Sequence, residues 1–179
     1  MSTVVIFNYI MIKKIFASAI LLFILFFTSC QRAEVLYNDG VLYFNKGNYT
    51  IAITNLTECI NVDPKYSDAY LYRGNAYIFK KDYVRAMDDF NQALKLKPDN
   101  PDIYFSRGNL HKINDDITLA LEDYTEAIKL NPEYAQAYLN RGLLYESMGD
   151  KIRAVSDWET VIKIEPKNPY AKQYLEKIK

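Results

Sequence analysis

Apolar residues in this chain fall at three- and four-residue spacings, and the whole pattern returns every 34 residues. Between Ser67 and Phe79, Tyr70, Arg73, Gly74 and Tyr77 share one face, the spacing of an amphipathic helix. Beyond a short turn, Ala86, Phe90, Ala93 and Leu94 make a second helical stripe, and Pro98 closes the unit because proline cannot continue a helix. Gly40, Gly74, Gly108 and Gly142 keep the 34-residue phase, as do Ala52, Ala86, Ala120 and Ala154, and Pro64, Pro98, Pro132 and Pro166. Gly47 and Gly149 share a further phase, and Pro101 and Pro169 another. Residues with special backbone demands recur where the backbone recurs, so the chain predicts an array of identical helical hairpins.

The units run 33–66, 67–100, 101–134 and 135–168. Asn48, Asp82, Asp116 and Asp150 stand where a side chain can cap the second helix of each. Asn-Pro at 100–101 and 168–169 supplies a cap and a first-turn proline for the following helix. The glycine on the first helix is expected to face the alanine on the second, letting the axes approach. Arg73, Arg107 and Arg141 lie beside those glycines, with Asp89, Asp123 and Asp157 at one fixed offset. The first unit lacks both partners, carrying Asp39 and Asn55, so the sequence predicts three intra-unit ion pairs. Residues 169–179 begin a fifth unit and stop after one helix. Its stripe of Ala171, Tyr174, Leu175 and Ile178 would cap the exposed end of the array.

Tyr70, Gly74, Tyr77, Ala86, Phe90, Ala93 and Pro98 resemble, in order and spacing, the signature of the tetratricopeptide repeat family. The resemblance covers 33–168 without insertion or deletion, with His111, Trp158, Leu56 and Cys59 as substitutions at signature phases. It implies an all-α, right-handed superhelical solenoid of four helix-turn-helix units plus a capping helix. It also implies a concave groove, lined by the first helices, that holds a partner peptide. Carried over by phase, the groove takes Tyr37, Asn38, Val41, Phe44 and Asn45 from the first unit and Asp68, Leu71, Tyr72, Asn75, Ile78 and Phe79 from the second. The third adds Asp102, Phe105, Ser106, Asn109 and Lys112, and the fourth Leu139, Asn140 and Glu146. A carboxamide both donates and accepts, so Asn38, Asn75, Asn109 and Asn140 suit a peptide backbone of any sequence. Family members that clamp acidic chaperone tails place Lys, Asn and Arg at set groove phases. Here those phases hold residues such as Tyr37, Val41, Tyr72, Asp102 and Ser106, so the resemblance does not extend to such a clamp. Asp68, Asp102 and Glu146 outnumber Lys112, which points to a neutral or basic segment.

The first 30 residues change the picture. Lys13 and Lys14 precede Ile15–Phe27, thirteen residues with only Ser18 polar, which is the layout of an export signal. Phe27, Thr28, Ser29 and Cys30 resemble the lipobox of bacterial lipoproteins, with Phe27 in place of the usual Leu. On this reading residues 1–29 are a signal peptide and Cys30 carries lipid. Residues 30–32 then form a tether, and Met11 is an alternative start. An uncleaved anchor reaching back to Val4 has the length but buries both lysines mid-span; a soluble secreted form is the third reading. The absence of Asp at position 31, which is Gln, favours the outer membrane over the inner, facing the periplasm. Cys59 sits at a small apolar phase with Ala93, Ala127 and Val161, so it reads as a core thiol and leaves Cys30 unpaired.

Charge excludes some functions. Lysine plus arginine balance aspartate plus glutamate at 22 each, so nothing suggests nucleic acid. Removing residues 1–29 would leave a formal charge of −2. His111, the single histidine, occupies a phase held elsewhere by Tyr43, Tyr77 and Tyr145, which is a structural position. No Cys/His spacing suits a metal, and every glycine is explained by the repeat, leaving none for a phosphate loop. The sequence therefore predicts a non-catalytic scaffold that needs neither cofactor nor metal and binds a protein segment at a bacterial membrane. Its architecture is like that of small repeat lipoproteins such as pilus-assembly pilotins and adaptors for cell-wall hydrolases. The competing reading is a carbohydrate-binding or hydrolytic protein that uses groove aromatics with Asp68 and Asp102, since glycoside hydrolysis needs two carboxylates across a cleft.

Overall fold

Each 34-residue unit forms two helices because each carries two apolar stripes bounded by caps and a proline. The computed structural model describes residues 31–178. Helix α1 covers 31–45. It is followed by α2 (Tyr49–Val62), α3 (Ser67–Phe79), α4 (Tyr83–Leu96) and α5 (Pro101–Ile113). Then come α6 (Ile117–Leu130), α7 (Ala135–Ser147), α8 (Lys151–Ile164) and α9 (Pro169–Ile178). Among the described residues there is no strand. Each helix packs against its neighbours in sequence in an all-α repeat array, and α3 also meets α5, so the first helices of units two and three lie side by side. The signal segment and Cys30 lie outside the described residues.

Both ends of the intra-unit turn are built from one residue. The N–H groups of Asn48, Asp82, Asp116 and Asp150 reach back 2.9 Å to the carbonyls of Tyr43, Tyr77, His111 and Tyr145. That is the six-to-one bond of a Schellman turn, and the residue before each cap must be left-handed. Gly47 and Gly149 take that conformation at φ 75° and 81°, and Lys81 and Asp115 take it at 61° and 64°. Asn48, Asp82 and Asp150 then accept the third helical N–H of the next helix. Asp116 stands at the same place but makes no such bond; its carboxylate instead lies 3.7 Å from His111 Nδ1.

The glycines face a different partner from the one expected. A Cβ on Gly74 would stand 2.7 Å from the Phe90 ring, one on Gly108 2.9 Å from Tyr124, and one on Gly142 2.5 Å from Trp158. On Gly40 it would meet Leu56 at 2.6 Å. The glycine phase therefore opens a slot for the largest core side chain of the second helix, and the alanine phase is buried in the same clusters as those side chains. Phe90, Tyr124 and Trp158 are fully buried, each side chain contributing about 1.5–3 kcal/mol by burial.

The arginines hold three helices at once. Arg73 donates from Nε and Nη2 to the two oxygens of Asp89 at 2.8 and 2.7 Å, and from Nη1 to Thr57 of the preceding unit at 3.1 Å. Arg107 does the same with Asp123 (2.9 and 2.7 Å) and Asn91 (3.0 Å). Arg141 repeats it with Asp157 (2.9 and 2.8 Å) and Thr125 (3.1 Å). The hydrogen bonds that Arg107 donates to Asp123 push the arginine pKa up against the cost of burial. Helix α9 closes the array: Ala171 is buried, Tyr174 lies 5.1 Å from Trp158 ring to ring, and Leu175 and Ile178 pack against the same cluster.

Candidate functional site

The face lined by the first helices, here called the inner face, carries a cavity of about 730 Å³ where α3 and α5 meet. Of the residues assigned to the groove from sequence, Tyr37, Leu71, Tyr72, Asn75 and Phe105 line it, with Asp68, Asp102 and Ser106. The Asn75 carboxamide has no hydrogen-bond partner among the described residues, so its donors and its acceptor remain available. Leu71 and Ser106 are buried and form the floor.

Other predicted groove residues have different roles. Asn109 accepts from the Tyr124 hydroxyl at 2.7 Å and from the Asn140 amide at 2.9 Å. These two asparagines join units three and four and hold Tyr124 in place, so they are not open backbone readers. Leu139 packs against the cluster around Trp158, and its carbonyl lies 3.4 Å from the indole N–H. Lys112 is half-buried, which pushes its pKa down. Asn38 is exposed on α1, outside the cavity.

A ladder of rings runs along the first two units. Tyr66 and Tyr37 lie 4.9 Å apart, Tyr37 and Tyr72 5.8 Å, and Tyr72 and Phe44 5.6 Å. Phe44 and Phe79 follow at 5.7 Å, and Phe79 stacks on Tyr49 at 4.3 Å with the planes 2° apart. Phe79 is 57% exposed even so. Edge-on and offset contacts of this kind rigidify rings without covering them.

Sequence reasoning missed the loop between the second helix of one unit and the first of the next. Lys97, Asp99, Asn100 and Tyr134 all line the cavity. The Tyr134 hydroxyl donates to Asp102 Oδ1 at 2.7 Å, and Asn100 Nδ2 and Lys97 Nζ approach Asp68 Oδ1 at 3.5 and 3.6 Å. Tyr66, Asn100 and Tyr134 share one phase of the repeat, which was the available signal. Burial pushes the Tyr37 and Tyr134 phenols up, helped by Tyr72 and Asp68 for the first and by Asp102 for the second. Both remain protonated hydrogen-bond donors at neutral pH.

Asp68 and Asp102 thus share a cavity, but each is already engaged by neighbouring donors. His111 is a packed residue, its side chain 12% exposed between Asp116 and Asp123, each 3.7 Å away. Asp123 is the carboxylate that Arg107 holds. Burial raises the Cys59 thiol to about 11, so it stays protonated in the core. Among the described residues no group of histidine, cysteine and carboxylate side chains is placed to hold a metal. No helix there is long and apolar enough to cross a membrane.

These features define a helical repeat scaffold with an open inner face. Family models described as TPR repeat match residues 74–115 and 113–149. A model described as tetratricopeptide repeat matches 33–66 and 135–168. The chain belongs to the tetratricopeptide repeat family, whose members are generally non-catalytic scaffolds for protein partners. No protein of curated function matches the sequence. Among solved structures, a crystal structure of MamA is 27% identical over 78% of this chain and 81% of its own, with a TM-score of 0.69. The Pseudomonas aeruginosa protein PilF is 18% identical over 84% of this chain and 69% of its own, with a TM-score of 0.79. MamA residues 41 to the end from Desulfovibrio magneticus RS-1 are 20% identical over 76% of this chain and 77% of theirs, with a TM-score of 0.67. The last two likenesses speak to the fold alone.

Proposed function

We propose that this protein is a non-catalytic scaffold that holds an extended or helical segment of a partner protein along its inner face. It is tethered to a bacterial membrane, on the periplasmic side of the outer membrane, by lipid on Cys30. The observation that carries the reading is the unpartnered Asn75 amide, set in a cavity and continued by half-buried rings that end in the exposed Phe79. The opposite face of α3, by contrast, is filled with core contacts. Aromatic side chains concentrate binding energy in protein interfaces, and a carboxamide can satisfy a peptide backbone. Carboxylates outnumber amines at the cavity, which favours a neutral or basic segment. The tether rests on the sequence around Cys30: a charged start, an apolar run, and Thr28 and Ser29 before the cysteine.

Two measurements test the reading. A photo-crosslinking residue at position 75 should trap protein partners in native membranes, and the same residue at position 156 on α8 should not. Partners trapped from position 156 alone would reject the inner face. Intact-mass analysis should show residues 1–29 absent and a lipid on Cys30 in the wild type, with residues 1–29 retained and no lipid in Cys30→Ala. A wild-type mass that retains residues 1–29 without lipid would end the tether reading.

A further inference from the structure

The cavity between α3 and α5 is asymmetric in charge and rich in rings. Asp68, Asp99 and Asp102 line it against the single ammonium of Lys97. Lys97 is half-exposed and reaches only Asp68, at 3.6 Å. Asp102 gives one oxygen to Tyr134 and keeps the other free of any hydrogen bond from the described residues. Asp99 is exposed on the loop. Two aromatic pairs flank these carboxylates. Tyr37 and Tyr72 meet edge-on at 78°, and Phe105 and Tyr134 lie 5.0 Å apart at 36°. Ring faces with carboxylates beside them attract a cation twice over, through the ring quadrupole and through charge. Its volume of about 730 Å³ leaves room for one long side chain and the backbone that carries it.

We propose that this cavity is a subsite for one cationic side chain, arginine or lysine, of the bound protein segment. Tyr37, Tyr72 and Phe105 contact its stem and charge, while Asp68, Asp99 and Asp102 neutralise it. The proposal rests on the inner face being the binding face and names what that face selects. Asn75, at the same cavity, pairs with the backbone next to the selected residue. The guanidinium is the better fit: it is planar, weakly hydrated, and able to stack on a ring while donating to carboxylates at its edge. A pyranose carries no charge, so it would leave Asp68, Asp99 and Asp102 with Lys97 as their one cation in the cavity. An anionic side chain would meet three carboxylates.

The test is an amide NMR titration of the full chain in small detergent micelles. Four probes are compared: N-acetyl-Gly-Arg-Gly-amide, its glutamate and norleucine counterparts, and chitotetraose. The arginine peptide should shift the amides of Tyr72, Asn75 and Phe105 and saturate at millimolar concentration. The glutamate and norleucine peptides should bind at least about tenfold more weakly, a difference of about 1.4 kcal/mol. Combining Asp68→Asn, Asp99→Asn and Asp102→Asn should weaken the arginine peptide at least fivefold. Should that variant fail to fold, the comparison of probes on the wild-type chain decides alone. Equal shifts from the three peptides, arginine-induced shifts confined to other surfaces, or the same amides moved by chitotetraose but not by arginine would each overturn the proposal. Loss of arginine selectivity with crosslinking from position 75 intact removes the cation subsite only. Loss of that crosslinking removes the inner face as the binding face.

Discussion

At the residue scale, the turn inside each unit demands one left-handed residue, and the chain answers it unevenly. Gly47 and Gly149 meet the demand without strain, whereas Lys81 and Asp115 hold φ near 61° and 64° with a Cβ present. Left-handed backbone costs a side-chain-bearing residue roughly 1–2 kcal/mol, partly offset by the entropy a glycine loses on folding. Lys81→Gly should therefore stabilise the fold by about 0.5–1 kcal/mol, read as a higher midpoint in urea with an unchanged slope; a lower midpoint would show that Lys81 makes a contribution the turn geometry hides. A second position varies in the same way. In units two and four the guanidinium of Arg85 or Arg153 lies 4.4 or 4.3 Å over Tyr77 or Tyr145 and pairs with the cap Asp82 or Asp150. In unit three the arginine is Leu119, the tyrosine is His111, and the cap Asp116 faces the histidine instead. The unpartnered Nδ1 of His111 belongs to that exchange. His111→Tyr combined with Leu119→Arg should restore the arrangement of the other two units and raise the melting temperature by a few degrees at most, the two changes together exceeding the sum of each alone. Strict additivity in thermal melts would show that the three residues do not act as a set.

At the scale of the elements, the arginine of each first helix joins its own second helix to that of the unit before. A bidentate pair with a third hydrogen bond is geometrically demanding, and the carboxylates of Asp89, Asp123 and Asp157 are nearly buried. A double-mutant cycle with Arg107→Ala and Asp123→Ala should give a coupling energy of about 1.5–3 kcal/mol. A coupling near zero in denaturant unfolding would mean that packing alone sets the register of the units. Helix positions, the three ion pairs and the capping role of α9 were legible in the sequence, because a strict period lets one unit vouch for the next. The partner of each glycine was not. Glycine and alanine phases both look like close approach along a sequence. Only the packing shows that the slot beside Gly74 is filled by Phe90 and the slot beside Gly142 by Trp158. The Asp116 cap failed for a similar reason. The period placed it correctly, but the residues three and five positions away are those of the altered third unit.

At the scale of the molecule, the array is regular in its backbone and uneven on its inner face. Rings crowd the first two units in a continuous ladder from Tyr66 to Tyr49. Units three and four turn Asn109 and Asn140, which stand at different phases of the repeat, toward each other and toward Tyr124. Sequence phase grouped Tyr37, Leu71, Tyr72, Asn75 and Phe105, which line one cavity, but could not separate open positions from those engaged by neighbours, since that depends on pairings between units. The loop residues Asn100 and Tyr134 were equally hidden, because a cap position is read first as a turn. What remains open is compact: the Asn75 amide joins no units, and Tyr72 and Phe105 line the same cavity beside it. The most direct measurement is partner capture from native membranes by the wild-type chain and by the combined variant Asn75→Ala, Tyr72→Ala and Phe105→Ala, followed by photo-crosslinking and circular dichroism. Capture should fall at least tenfold while helicity is retained. Capture at the wild-type level by a folded triple variant would contradict the inner face as the site where this protein holds its partner.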